Sequence, residues 1–393
     1  MEIQTSNFIV VDCNSQSTGI GQIQSFNNPF KTISEAFKHV QDNDLVIIRG
    51  GDYYETPDSP YNLGYDLQYA GAKCALIGKN NVTIQGWNNP RLNLLSHGNG
   101  FYFENCTNLR ISGVEINGQG YLAQPLNVGF CLIHFAGTND NILIENCKFR
   151  DSGNHGVAHL LGPRTTTNVT VRDCLFERAG HMQHPTLGRD GCAVGIAGNG
   201  NRFVNNTIRE WLRGIEIESG SFGNRDTENS KILIQGNLFE RCWWQAISIM
   251  PTHARTGWIN RVKIVDNLFE GWGQEPSPKF GKEHFAHCAV YLGGASHFQI
   301  CGNTISKMWD GPGIQCSSDF AAIESGMIHD NHVFSVDRHG ICLIRTNNPI
   351  TKMSVCSNLV EMSGASDFYF DGVQGLNLQG NIGDKPVFQE NII

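Results

Sequence analysis

The sequence predicts an all-β solenoid of about eleven turns, and three observations predict it. The first is a six-residue unit that recurs along the chain: apolar, any, small or polar, usually Asn, any, apolar. It stands at Ile234–Phe239, Ile264–Phe269, Ile300–Ile305, Ile328–Val333 and Val355–Val360, with earlier copies at Ile111–Ile116, Ile144–Phe149, Val171–Phe176 and Phe203–Ile208. Degenerate copies start at Ile84 and Leu378, and the starts lie 23 to 36 residues apart. The second is the fourth position of the unit, where Asn206, Asn237, Asn267, Asn303, Asn331, Asn358 and Asn381 stand. One Asn after a strand is ordinary turn chemistry. Seven in consecutive repeats imply stacked turns, each amide bonding the next about one strand spacing away. The third is a Gly or small residue that regularly precedes a short apolar strand, the third of each turn.

Taken in order, Asn28–Val40 reads as an amphipathic helix and Asp44–Glu55 holds the first strand of the solenoid. Each repeat then gives a strand carrying the six-residue unit, the Asn turn, a short strand ending in Phe, Ile or Val, a second turn, and a third strand. The third strands are Phe101–Glu104, Cys131–Phe135, Val157–Leu161, Cys192–Ala197, Ile215–Ser219, Ile247–Pro251, Cys288–Leu292, Ile314–Ser317, Ile341–Arg345 and Phe368–Asp371. The expected organisation is a single domain over 1–393, with an N-terminal cap and first strand in 1–55, coils in 80–383 and a tail in 384–393.

The asparagine ladder and the opening segment, Asn28-Pro-Phe-Lys-Thr-Ile-Ser-Glu-Ala-Phe-Lys-His-Val, resemble the right-handed parallel β-helix (pectate-lyase-like) superfamily of carbohydrate-active proteins. The resemblance covers nearly the whole chain. It implies an N-terminal helix that caps the open end of the coil, where core and strand edges would otherwise be exposed. It also implies a substrate groove on the third sheet. The Asn-Thr-Asp, Gly-His-Gly and Arg-Ile-Lys motifs of polygalacturonase-like hydrolases are absent, the nearest echoes being His155-Gly156 and His339-Gly340.

Composition narrows the partners. A net charge of −8 argues against a nucleic-acid binder, although a local basic patch could still hold an acidic sugar. Thirteen cysteines are scattered singly and read as small buried hydrophobes, with neither a disulfide framework nor a zinc site. No apolar run is long enough to span a membrane. Met1–Val11 shows no basic start followed by an apolar stretch, so no signal peptide is expected. The location would be extracellular or periplasmic if such a segment has been removed, and cytoplasmic otherwise.

The candidate site centres on Leu212–Ser219, where Ile215 and Ile217 would face inward and Glu216 and Glu218 outward. Long connections at 178–191, 219–230, 251–260 and 271–287 surround this strand. Outward positions read by alternation give one column of Ala193, Glu216, Ser248 and Ala289, and a second of Gly195, Glu218, Met250 and Tyr291. The orientation of His159 is open. Three uses of the carboxylates fit. With Asp190 they could hold Ca²⁺, which in similar lyases neutralises a uronic carboxylate before a base removes the C5 proton. Candidate bases are Arg213, Arg189, His184, His253, Lys279 and Lys282. Glu216, Glu218 and Asp190 could instead be the acids of an inverting glycosidase, or they could pair with Arg213, Arg189 or Arg225 as a structural network. Trp211, Trp243, Trp244, Trp258 and Trp272 lie nearby as sugar platforms, with Trp243, Trp244, Tyr291, Arg225, Lys279 and Lys282 the expected substrate contacts. The leading expectation is a lyase acting on an acidic, uronate-containing polysaccharide or oligosaccharide, ahead of a hydrolase. A non-catalytic binding or structural solenoid is the third.

Overall fold

The computed structural model describes residues 7–16, 21–55, 74–95, 99–118, 131–152, 155–159, 166–179, 191–218, 229–251, 259–271, 288–308, 310–385 and 388–390. They fall into two compact units, 1–188 and 189–393. Every described strand pairing within each unit is parallel, and each unit builds three sheets; from Ala295–Ser296 and Gln299–Cys301 onward the first sheet has two short strands per turn.

In the first unit the first sheet runs from Phe8–Val11 through Leu45–Arg49, Thr83–Trp87, Thr107–Ser112 and Asn139–Glu145 to Thr166–Arg172. Its third sheet holds Cys74–Ile77, Phe101–Glu104, Cys131–Ala136 and His155–Ala158. The expected helix is present but shorter, spanning Ile33–Phe37. Thr32 is its N-cap and accepts from the Glu35 N–H at 3.2 Å. After Phe37 the chain tightens into three-residue turns, Lys38 N–H to Glu35 and His39 N–H to Ala36. Phe37 reaches Phe101 with ring centroids 5.4 Å apart.

In the second unit the six-residue unit does what the sequence implies. Its first residues stack as Ile234, Ile264, Ile300, Ile328 and Val355, all fully buried. Its last residues stack behind them, with the Phe239 and Phe269 rings 4.8 Å apart and nearly parallel. Burying each of these side chains is worth about 2–3 kcal/mol. The third position is left-handed throughout: Asn205, Gly236, Asp266, Gly302, Asp330, Ser357 and Gly380 have φ between 54° and 66°. That is why it is small or polar, since Gly, Asn and Asp tolerate this conformation best.

The fourth position forms the ladder. The Asn267 Oδ1 accepts from the Asn237 backbone N–H at 3.0 Å and its side-chain amide at 2.9 Å. The Asn267 amide donates to the Ile234 carbonyl at 3.1 Å and to Asn303 Oδ1 at 3.0 Å. The same pattern runs from Asn206 to Asn381. In the first unit Cys147 and Cys174 stand at this position, their thiols pointing at the carbonyls two residues back, 3.3 and 3.2 Å away. Nine of the thirteen cysteines are buried, as expected of small apolar residues.

The outer face of the first unit's third sheet carries His134, opposite Tyr102 and Ala158. It is buried, and neither ring nitrogen has a hydrogen-bond partner among the described residues. Burial, reinforced by His159 and His155, holds its pKa down at about 3. His159 itself is half-buried, its Nδ1 2.7 Å from Thr166 Oγ1.

Two outcomes are expected. Asn267→Ala removes four hydrogen bonds and strands buried partners, so it should lower unfolding free energy by about 2–4 kcal/mol in urea titrations. Asn381→Ala, at the exposed end of the ladder, should cost less. His134 stays neutral when folded but takes a proton when unfolded below its ordinary value of 6.5. Stability is therefore held above pH 6.5 and lost as pH falls toward 3, by about 1.4 kcal/mol per unit. His134→Leu should remove about 2 kcal/mol of the stability difference between pH 7 and pH 5.

Candidate functional site

The strand Arg213–Glu218 lies in the second unit's third sheet, which runs Cys192–Gly195, Arg213–Glu218, Gln245–Met250, Cys288–Leu292, Ile314–Ser317, Ile341–Ile344, Phe368–Asp371 and Phe388–Glu390. Ile215 and Ile217 are fully buried, and Glu216 lies on the outer face, as alternation predicts. Alternation fails at the start of the strand. A Cβ on Gly214 would sit 2.7 Å from the Phe239 ring and 2.3 Å from the Ala246 carbonyl oxygen. This position therefore faces the core and only glycine fits. Two successive residues, Gly214 and Ile215, point inward, which leaves Arg213 and Glu216, three apart, on the same outer side. There Arg213 Nη1 donates to Glu216 Oε1 at 2.7 Å, with both side chains more than nine-tenths buried. The Arg213 guanidinium lies 4.0 Å from the Trp244 ring centre, a cation–π contact that holds it further in place.

This break corrects the expected columns. The observed row is Gly195, Glu216, Ser248 and Tyr291, continuing to Gln315, Cys342 and Tyr369. Ala193 and Ala289 are level with the inward Gly214 and Ala246 and do not flank Glu216 and Ser248. Glu218 does lie beside Met250 and is half-buried. Gly195 and Ser248 leave little bulk on either side of Glu216. Ser248 Oγ and Gln245 Oε1 are buried, and neither has a hydrogen-bond partner among the described residues.

Tyr291 stands next to Ser248 in the row. Its hydroxyl donates to Asp319 Oδ2 at 2.6 Å. Burial, and then the Asp319 carboxylate, push its pKa well above the ordinary phenol value, so the proton stays on the phenol. Met250 and Cys288 pack against it, and burial pushes the Cys288 thiol up as well. Asp319 and Gln245 are additions that the sequence did not single out. Asp319 follows a strand two turns beyond Ser248, and only the coil register brings it to Tyr291.

The other expected residues divide cleanly. Trp243 and Trp211 are buried, so neither offers a ring face to a sugar. Trp244 is half-buried and holds Arg213. Asp190, Arg189, His184, His253, Arg225, Lys279, Lys282, Trp258 and Trp272 lie outside the described residues. Among the described residues no group of three His, Cys, Asp or Glu side chains could hold a metal ion.

A family model described as "Right handed beta helix region" matches residues 99–305. No curated protein matches the sequence. Among solved structures, the surface adhesin PfbA of Streptococcus pneumoniae is similar over 92% of this chain and 95% of its own, at 14% identity and a TM-score of 0.55. The tailspike of the E. coli bacteriophage HK620, solved with a pentasaccharide, is similar over 88% of this chain and 71% of its own, at 12% identity and 0.55. A lacto-N-biosidase from Eubacterium ramulus is similar over 99% of this chain and 68% of its own, at 10% identity and 0.52.

The ion pair is testable. Glu216→Leu leaves a buried guanidinium without its carboxylate and should cost about 3–5 kcal/mol in chemical denaturation. Arg213→Met with Glu216→Leu should recover most of that loss. Equal losses in the single and double variants would mean that Arg213 has other anchors.

Proposed function

The chain belongs to the right-handed parallel β-helix family, and we propose that the outer face of its third sheet, within residues 189–393, binds and cleaves an acidic polysaccharide. One observation carries the reading. Beside the Arg213–Glu216 pair, the buried Ser248 Oγ and Gln245 Oε1 have no partner among the described residues. A buried polar atom without a hydrogen bond costs about 1–3 kcal/mol. A hydroxyl-rich ligand lying along the row would satisfy both. That the similar tailspike was solved with a pentasaccharide supports a carbohydrate ligand, as does the biosidase named above.

The chemistry favoured is β-elimination. A base takes the proton from C5 of a uronate, the electron pair forms the C4–C5 double bond, the C4–O bond breaks, and the leaving oxygen takes a proton. Tyr291, whose hydroxyl stands on the same row and is held in place by Asp319, is the proton donor this reading assigns. Arg213, already aligned by Glu216 and Trp244, is the cation that meets the uronate carboxylate. Paired in this way Arg213 keeps its proton, so the base falls to His184, Arg189, His253, Lys279 or Lys282. Glu216 is engaged by Arg213, which leaves it less free to hold calcium. Calcium would rest on Glu218 and Asp190, and no step above needs it.

The same ion pair favours a second reading. A carboxylate tied to a guanidinium is poorly suited to act as the base of an inverting hydrolase. It suits a face that binds glycans without cleaving them, and the similar PfbA is an adhesin. Incubation with polygalacturonate separates the possibilities. Elimination gives unsaturated products that absorb in the ultraviolet, and Tyr291→Phe should slow their release by about 10²–10⁴-fold. New reducing ends without that absorbance would mean hydrolysis. Tight binding without cleavage would leave the adhesin-like reading.

A further inference from the structure

The first sheet of the second unit carries a groove of about 730 Å³ that the third-sheet site does not use. Arg202, Lys231, Arg261, Lys263 and His297 line it, and all five are exposed. Arg202 and Lys263 are outward residues of one row, with Leu233 between them. Lys231 and Arg261 come from adjacent strands beside that row, so the charges recur at about one strand spacing, ~4.8 Å. None of Arg202, Lys231, Arg261 and Lys263 makes an ion pair or side-chain hydrogen bond among the described residues. Elsewhere the arginines and lysines of this acidic protein are commonly paired, as in Arg178–Asp151, Arg338–Asp310 and Lys307–Glu270. Glu324, the carboxylate whose charge reaches His297, is already held by Lys352 at 2.9 Å.

The backbone adds a second observation. Lys231, Arg261 and His297 have φ of 58°, 53° and 52°. In the first unit the corresponding bulge of the same sheet is filled by Asn81, Asn108, Asn141 and Asn168, with φ between 52° and 58°. Asn tolerates the left-handed region and Lys and Arg do so poorly. Elsewhere in the chain left-handed cations, Arg178, Arg241, Lys307 and Lys352, each pair with a carboxylate, whereas Lys231 and Arg261 have no such partner among the described residues.

We propose that this groove is a second, non-catalytic site for an anionic polysaccharide chain, carboxylated or sulfated. The cations repeat along the sheet as charges repeat along such a chain. The half-exposed Leu233 and exposed Met327 between them suit the C–H faces of sugar rings. Nucleic acid fits less well. Phe298, the groove's aromatic residue, is buried and offers no stacking platform.

The inference does not depend on chemistry at the third sheet, and the test separates the two. Calorimetric titrations of the full chain would use short polygalacturonate, dextran sulfate, neutral dextran and oligothymidylate. The variant is Lys231→Asn with Arg261→Asn, which removes two charges while installing the residue this backbone prefers. At least one anionic polysaccharide should bind, more weakly as salt rises, with neutral dextran silent. The double variant should lose at least tenfold in affinity at an equal or higher melting temperature. Preference for polygalacturonate or for dextran sulfate tells carboxylate from sulfate. If the third sheet also binds uronates, the stoichiometry falls from two to one; if it does not, from one to none; either supports the groove. Unchanged affinity and stoichiometry in the variant, no binding of either anionic chain, or equally tight binding of oligothymidylate would overturn it.

Discussion

A buried side-chain amide needs a donor and an acceptor of its own, and along the ladder identical neighbouring turns supply them. Asn267 receives two N–H groups from Asn237 and gives its own to Asn303 and Ile234. Asp lacks the donor, Ser lacks the second donor, and Gln would move the amide out of line. The ladder therefore fixes the rise from turn to turn, and the rest follows from that rise. Because turns repeat at strand spacing, the isoleucines stack, the phenylalanines stack, and the outer rows of the sheets become regular arrays. In the first unit Cys147 and Cys174 point their thiols at equivalent carbonyls. A thiol is a weak donor, so those turns lean more on burial.

What the sequence reveals follows the same logic. The six-residue unit and its Asn are local, so strand positions could be read closely: Cys288–Leu292, Ile314–Ser317 and Phe368–Asp371 stand as expected. The small or polar third position was visible as a pattern, and its cause is the left-handed backbone. The row across Glu216 was misread because the register depends on where alternation breaks. Gly214 and Ile215 both face inward, and strict alternation carried over that bend shifts the neighbouring strands by two residues. Asp319 was illegible for a related reason. Its partnership with Tyr291 is set by coil register across 28 residues and by no local motif.

The refined site differs in kind from two bare carboxylates on a strand. Glu216 is neutralised by Arg213, and the pair is buried against Trp244. Such a pair gives little net stability, because desolvation offsets most of the Coulomb gain. Its value lies in holding a guanidinium in one orientation on the floor of the row. Beside that oriented guanidinium, the neutral groups Ser248, Gln245 and the Tyr291 phenol complete the set that meets a ligand.

The bulge column of the first sheet separates scaffold from specialisation most clearly. In the first unit its asparagines suit the backbone and bond along the column: Asn141 donates to Asn108 at 2.6 Å and Asn81 to Asn43 at 2.9 Å. The second unit replaces them with Lys231, Arg261 and His297 and forgoes both advantages. A fold that only needed to stack would have no reason to do so, since the asparagine solution is already present in the same chain. Farther along the column Lys352 is again left-handed, at φ 55°, but there it is paired with Glu324. The unpaired cations are thus confined to one stretch of the column, and that confinement argues for a ligand better than charge alone would.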